Sequence, residues 1–337
     1  MNVWIYFPVI AVISLLVTGL LRRYALSTSL IDVPNARSSH TVPTPRGGGV
    51  AIVLSFLAAL PLGWLDGSLP TGAFVGLAGA GALVAVIGFM DDHGHIAARW
   101  RLLGHFTGAA WALFWLGGLP PLQVFGLDLD LGWLGALLAA FYLVWMLNLY
   151  NFMDGIDGLA SVEAICATVG MCALYFASGH PQLIWPALIL GMAVAGFLFW
   201  NFPPAKIFMG DAGSGFLGIT LGILALQAAW TDSRLFWAWL ILLGVFIVDA
   251  TVTLIRRLMI GQKVYEAHRT HAYQYASRRY GRHLPVTLGV LAINLFWLLP
   301  LAWAVVCLDL DGGVGVLVAY LPLVASALKF GAGRPEK

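Results

Sequence analysis

The sequence predicts an all-α, polytopic integral membrane protein, and three observations carry that expectation. Of its 337 residues, 60% are hydrophobic and only 10% are charged, against about 45–50% and about 25% in a soluble domain. The mean hydropathy is +0.87. Charge-free runs of bilayer-crossing length, roughly 20 residues, recur along the whole chain. These features exclude a soluble globular enzyme, a disordered chain and a nucleic-acid binder, and they make the few charged residues the informative ones.

Charge-free runs and turn signals define about eleven candidate spans, near 3–21, 48–65, 72–90, 103–118, 132–149, 159–178, 183–200, 212–230, 235–254, 286–306 and 312–330. The first lacks a basic leader and is long enough to span, so it reads as a membrane helix and not as a cleavable signal. The second follows Pro43-Thr44-Pro45-Arg46-Gly47-Gly48-Gly49, and the third ends in Gly88-Phe89-Met90-Asp91-Asp92. The fifth ends in the polar stretch Asn148–Gly158. The run from Ala164 to Ala205 is too long for one helix, and Ser178-Gly179-His180-Pro181 supplies the turn between the sixth and seventh. The seventh ends in Asn201–Asp211. The whole chain, 1–337, reads as a single transmembrane domain, with a basic loop over 255–285. Cys166, Cys172 and Cys307 lie in apolar stretches without a C-x-x-C pair, so neither a zinc site nor a disulfide framework is indicated.

The basic residues set the orientation. Arg22, Arg23, Arg37 and Arg46 follow the first span, Arg99 and Arg101 the third, Lys206 the seventh, and seven Lys/Arg between Arg256 and Arg282 the ninth. With Lys329, Arg334 and Lys337, 17 of the 18 Lys and Arg fall on one side, and Arg234 alone on the other. Positively charged loops stay inside, so the N-terminus is expected to be periplasmic and odd-numbered spans to end in the cytoplasm.

The polar islands follow the same parity. All of them, with His268-Arg269-Thr270-His271, emerge on the expected cytoplasmic face. Ionisable groups at membrane depth are costly and are functional candidates by default. Taken singly, each aspartate reads equally as a solvated loop end or a helix cap, and Asp157 fits capping well. Five of them, Asp91, Asp92, Asp154, Asp157 and Asp211, on one face beside Arg and His point instead to a divalent cation and an anionic substrate. Magnesium takes one or two carboxylates, waters and substrate phosphate, and glycine-flanked helix starts at 47–49, 155–158 and 210–215 offer backbone N–H groups to phosphate. The two histidines three apart suit a diphosphate contact or a proton donor. Of the acids nearer the spans, Glu163 reads as a supporting residue behind Asp157, and Asp249 as a partner for Arg256 or a carboxylate reaching for the interface.

Gly88–Asp92, the N-x-x-N-x-x-D-G-x-D-G pattern of Asn148–Gly158 and the F-M-G-D-x-G core of Asn201–Gly213 resemble the polyprenyl-phosphate N-acetylhexosamine-1-phosphate transferases, glycosyltransferase family 4. That family includes the phospho-MurNAc-pentapeptide translocase and the initiators of O-antigen units. The resemblance runs from about Asp32 to about Tyr275. The segment His268–His271 is most similar to enzymes that start O-antigen with GlcNAc, FucNAc or QuiNAc phosphate and departs from the translocase's triple-histidine pattern. His95 and His105 also stand where the family carries other residue types.

The resemblance implies transfer of N-acetylhexosamine-1-phosphate from a UDP-sugar to undecaprenyl phosphate. The products are undecaprenyl-diphosphate-sugar and UMP, at the bacterial inner membrane, with magnesium (or manganese in its place) as cofactor. It implies Asp211 as metal ligand with Asp92 beside it, and Asp91, Asp92, Asp211 and His268 as catalytic residues. Asp91 would deprotonate or position the lipid phosphate, and the resemblance leaves open both a single displacement and a double displacement through an aspartyl-phosphate. Arg46, Asn148, Asn151, Asp154, Asp157, Asn201, Phe208, Arg269 and His271 are implied to bind substrate, Phe208 by stacking on uracil. The partners expected are the UDP-N-acetylhexosamine, undecaprenyl phosphate and membrane lipid, with no nucleic acid and with a homodimer left open. The rival from another class is a proton- or cation-coupled secondary transporter, whose acids belong near mid-membrane in broken helices, with Asp249 as its best support.

Overall fold

The structure, a computed structural model, describes residues 5–34, 38–94, 96–262 and 268–335. Arg37, His95, Lys263 and Lys337 lie outside the described residues. The fold is almost entirely helical, as the composition requires, because a chain in lipid must satisfy its backbone polar groups internally. The helices in chain order are α1 (Tyr6–Ser27), α2 (Val50–Leu65), α3 (Thr71–His93), α4 (Ala98–Leu116), α5 (Gly132–Met153), α6 (Leu159–Ala177), α7 (Ile184–Asn201) and α8 (Asp211–Ala229). They continue with α9 (Ser233–Leu242), α10 (Gly244–Met259), α11 (Ala272–Tyr280), α12 (Leu284–Ile293), α13 (Leu299–Cys307) and α14 (Gly312–Lys329). Two antiparallel two-stranded pieces complete it, β1 (Ile31–Asp32) with β2 (Thr44–Pro45), and β3 (Leu122–Val124) with β4 (Leu127–Leu129).

Each of the eleven candidate spans coincides with a helix or a helix pair. Among the described residues eight helical runs are long and apolar enough to cross a membrane, nine if α9 and α10 count as one span, so the protein is a multi-pass membrane protein; α4, at the fourth expected span, is not among them. The helix at the second span, α2, has 16 residues and falls short of that length. Two spans are irregular. The ninth bends by 69° between α9 and α10. The tenth carries a π-helical stretch, Asn294–Leu298, between α12 and α13. Pro300 lacks the N–H that the Phe296 carbonyl would receive in a regular helix, which accounts for the widened turn. α1 runs past its apolar stretch through Arg22, whose long side chain reaches the Lys206 carbonyl at 3.1 Å over the Trp200 ring.

The bundle is built around α8, in which every residue from Ala212 to Ala229 is buried. Small residues let its neighbours approach backbone to backbone, as is usual where lipid supplies no hydrophobic drive between helices. A Cβ at Gly218 would lie 2.4 Å from the Met146 carbonyl oxygen on α5, and one at Gly88 on α3 would lie 2.5 Å from the Asp211 carbonyl. α1 is tied to α7 by Ser14, which donates to the Ala193 carbonyl at 2.6 Å, and by Trp200, which donates to the Leu15 carbonyl at 3.0 Å. At one end, Arg234 bridges Asp232 and Asp309 (2.8 and 2.7 Å), and Trp237 holds the β3–β4 hairpin through the Gln123 carbonyl. At the opposite end, the polar islands converge.

Candidate active site

The last turn of α3, the last turn of α5 and the first turn of α8 meet at that end. Asp92 is buried and accepts the backbone N–H groups of Asp211 (3.1 Å) and Ala212 (3.2 Å). It thereby satisfies two of the donors that a helix leaves open at its N-terminus, and it fixes where α8 starts. Arg46 donates to the Asp92 carbonyl, tying the glycine-rich start of α2 to the same point. The α2 start is also tied to the segment before α8, with Gly48 N–H to the Phe208 carbonyl (2.9 Å) and Gly49 N–H to the Met209 carbonyl (2.8 Å).

Asp211, the first residue of α8, accepts from Asn151 Nδ2 at 2.9 Å, and the same nitrogen contacts Ser214 Oγ at 2.9 Å. Its other oxygen lies 3.7 Å from Arg101 on α4. Arg101 also pairs directly with Asp91, which accepts the Ile96 N–H at 2.9 Å. Asp91 is thus half-buried, with both oxygens engaged, and Arg101 spans two acids. Nothing in the sequence singles out Arg101 from the other basic residues on its side.

The second group lies around the α5–α6 turn. Asn201 accepts the Gly158 N–H and donates to the Ile207 carbonyl, both at 3.0 Å. Asp157 accepts the Ala205 N–H at 3.0 Å and lies 3.1 Å from His283 Nδ1. His283, which the sequence reading passed over, also contacts the Ser39 carbonyl at 3.0 Å. Burial works against charging the His283 imidazole, but its hydrogen bond to Asp157 and the charge there raise it above the ordinary histidine value. Asp154 sits between the two groups. Burial first, then the charges of Asp211, Asp92 and Asp157, hold its carboxyl well above the usual carboxylate range.

The His268–His271 segment covers the site beside α11. His268 stacks on His271 with ring centroids 5.0 Å apart and contacts Thr270 Oγ1 through Nδ1 at 2.9 Å. Burial, then the neighbouring His271 and Arg257, push its imidazole down to about 3, so it is neutral at pH 7. The segment read as a basic loop therefore contains a helix, and Asp249 explains its position. Asp249 accepts the N–H groups of Ala272 (2.9 Å) and Tyr273 (3.0 Å) and the Thr253 hydroxyl (3.2 Å), capping α11 from α10. Its expected pairing with Arg256 is not what the structure holds, for Arg256 donates to the Ala332 carbonyl. Glu163 is likewise not behind Asp157. It is buried within the bundle and accepts from Asn294 in the π-helical stretch at 2.7 Å.

Among the described residues three cavities open at this end; one, of about 540 Å³, lies beside His40, Asp157, Phe208 and His283, and the other two hold most of the residues named from sequence. Of those two, one of about 500 Å³ is lined by Asp91, Arg101, Asn148, His268 and His271 below an apolar wall of Val84, Ile87, Leu102 and Leu147. The other, of about 380 Å³, is polar and is lined by Arg46, Asp92, Asp154, Asp157, Asn201 and Phe208. They share Asn151, Gly155, Asp211 and Gln274. Twelve of the thirteen site residues named from sequence line one or both, and Arg269 lines neither.

Among the described residues no group of three or more His, Cys, Asp or Glu is arranged to hold a metal by itself. The donor set nevertheless fits a magnesium ion, which needs only one or two carboxylates beside substrate phosphate and water. Asp211 stands on the shared wall, and the carboxylates of Asp92 and Asp91 beside it leave negative charge that a cation would offset. Asp92, with both oxygens taken by backbone N–H groups, fits a supporting place.

Comparison with known proteins gives a consistent set of likenesses. The profile described as glycosyl transferase family 4 matches residues 74–229. The chain is 30% identical over 274 residues, 77% of this chain and 73% of the relative, to a probable undecaprenyl-phosphate N-acetylglucosaminyl 1-phosphate transferase of Bacillus subtilis. It is 29% identical over 329 residues (84% and 79%) to a decaprenyl-phosphate N-acetylglucosaminephosphotransferase of Mycolicibacterium smegmatis. It is 28% identical over 266 residues (74% and 72%) to a phospho-N-acetylmuramoyl-pentapeptide-transferase of Streptococcus thermophilus.

Proposed function

Because the chain belongs to glycosyl transferase family 4, we propose that it is a polyprenyl-phosphate sugar-1-phosphate transferase. Its reaction moves N-acetylhexosamine-1-phosphate from a UDP-sugar to undecaprenyl phosphate at the cytoplasmic face of a bacterial inner membrane, initiating O-antigen or a related surface polysaccharide. The observation that carries this reading is the pair of cavities meeting at Asp211 and Asn151. One substrate is an anchored lipid and the other a soluble, highly anionic nucleotide. An apolar-walled cavity and a polar one that share a carboxylate wall match that pair.

In this reading the nucleotide occupies the polar cavity, with Phe208 against the base, Arg46 on the diphosphate, and Asn201 and Asp157 shaping the wall. The lipid phosphate enters from the other side. Its second ionisation lies at about 6, so at pH 7 it is mostly a dianion and needs little help from a base. An oxygen of the lipid phosphate forms a bond to the sugar-bearing phosphorus as the bond to the UMP oxygen breaks. Such a transfer demands position and charge neutralisation more than covalent help. Arg101, held between Asp91 and Asp211, supplies positive charge where the two phosphates meet. The role of Asp91 is then to fix Arg101. His268, neutral at pH 7, donates a hydrogen bond to the donor's phosphates or sugar, and His271 and Arg269 stand on the same side. Asp211 would hold the magnesium ion, which when bound neutralises the diphosphate.

The clustering of acids at one end of the bundle, and the engagement of Asp249 as a helix cap, argue against a transporter. The test uses purified protein, vesicles containing undecaprenyl phosphate and a panel of radiolabelled UDP-N-acetylhexosamines. Label in an organic-extractable lipid, with release of UMP, is expected for one donor. Label that only crosses the vesicle wall, or none in lipid with any donor, refutes the reading.

A further inference from the structure

The apolar-walled cavity is lined by a polar side chain that the chemistry above leaves unused. His105 lies on α4 four residues after Arg101, on the same face and about 6 Å deeper in the membrane. Its Nδ1 is buried and meets no hydrogen-bond partner. It lines the same cavity as Arg101 and Asn148 and is close enough to feel the charges of Arg101 and Asp91. Nδ1 is closed off from the cavity, so the N–H that the neutral ring can offer an occupant is the one on Nε2, which is not closed off and meets no partner among the described residues; an N–H at a cavity wall gains by meeting an acceptor there.

From this juxtaposition we infer that His105 is a binding residue for the phosphate of the lipid substrate, its imidazole N–H donating to a phosphate oxygen behind Arg101. The inference rests on the reading of the cavity as the lipid side of a phosphotransferase. The occupant is a lipid phosphate and not the sugar nucleotide for two reasons. Val84 is seven residues from Asp91 along α3, about 10 Å into the bundle, so the cavity leads away from the aqueous end. Leu102 in its wall is 47% exposed on the bundle's perimeter, which gives a hydrocarbon tail a way out to the bilayer. Asn148 Nδ2 is committed to the Val144 carbonyl at 2.7 Å, so His105 and Arg101 are the donors this cavity offers to an anion at its inner end.

The test measures binding of undecaprenyl phosphate, and of undecaprenol for comparison, to full-length protein in detergent. Wild type, His105→Leu and His105→Gln are compared, with UDP-GlcNAc binding measured in parallel. If His105 contacts the phosphate, His105→Leu weakens undecaprenyl phosphate binding about tenfold, the value of one lost hydrogen bond to a charged group. Undecaprenol and UDP-GlcNAc binding stay within twofold. His105→Gln, which keeps a donor, recovers most of the loss. A merely structural histidine would lower lipid phosphate and lipid alcohol binding together, and that result overturns the inference. So does unchanged lipid phosphate binding, or a loss confined to UDP-GlcNAc. Should His105→Leu fail to fold, His105→Phe, which keeps a ring and removes the donor, reads the same phosphate-to-alcohol ratio. If wild type binds the lipid phosphate through His105 yet transfers no sugar phosphate from any donor, the proposed reaction fails while the binding assignment stands.

Discussion

At the scale of single residues, the site depends on how carboxylates are restrained. Asp211 is poised by Asn151 at 2.9 Å and by its place as the first residue of a helix whose start Asp92 fixes. Asp211→Asn keeps size and the contact with Asn151 but removes the charge, so transfer is expected to fall by at least roughly a hundredfold, with the thermal unfolding midpoint nearly unchanged. Assay of the purified variant beside a melting curve checks both halves of that statement. Arg101→Met leaves Asp91 and Asp211 facing each other without their shared cation. Turnover is expected to fall roughly tenfold to a hundredfold, and Arg101→Lys to fall less, because a lysine restores the charge without the two-pronged geometry. Steady-state kinetics of the two variants gives the ranking, and equal losses would assign Arg101 to shape alone. The aspartates were legible in the sequence because charge is scarce in it and each stands out. Arg101 and His283 were not, because a basic residue on the basic face has an ordinary explanation and only the folded backbone reveals which acid it meets.

Elements show a different balance. The helices themselves were legible, since hydrophobic runs of the right length leave the chain little choice in a bilayer. Their irregularities were not. The bend between α9 and α10 and the π-helical stretch before Pro300 interrupt continuous apolar runs that read as single rods. The helix α11 lies inside a polar segment; it has a local cap, the His271 N–H donating to Gln274 Oε1 at 3.2 Å, and a long-range one that no local pattern announces, the Asp249 carboxylate on another helix. Contacts between elements carry their own prediction. Gly88 lets α3 touch the first turn of α8, where an added Cβ would lie 2.5 Å from backbone atoms of Asp211 and 2.6 Å from the Ala212 nitrogen. Gly88→Ala is therefore expected to destabilise the protein by about 1–3 kcal/mol and to lower turnover by more than its neighbour Ala85→Gly, because it displaces the acid-bearing turn. Melting curves and turnover of both variants test this.

For the whole molecule, the charge asymmetry and the positions of the islands placed the functional groups at one end, and the structure gathers them there. How they divide between two cavities was not legible, because that depends on which helix ends abut across the bundle. The Asp157–His283 pair joins three separated parts of the chain, the α1–α2 connection through Ser39, the α5–α6 turn and the start of α12. Because the folded protein holds His283 above its ordinary value of 6.5, the pair stabilises the fold fully below that pH and loses its contribution as pH rises through the raised value. The difference in melting temperature between wild type and His283→Ala is expected to be largest near pH 6 and to shrink towards pH 9. A difference that grows with pH would mean that the neutral imidazole is the stabilising form.

One arrangement reaches beyond chemistry. Asp211 hangs from α8, and past that first residue α8 presents no side chain to the surroundings. Acyl-chain length acts on a protein through the helices that touch it, so thickening or thinning the bilayer loads the outer ring and leaves the central rod ungripped. Turnover is expected to hold nearly level across phosphatidylcholines of short to long chain. A steep optimum at one thickness, measured in reconstituted bilayers, would mean that the ring drags the rod along.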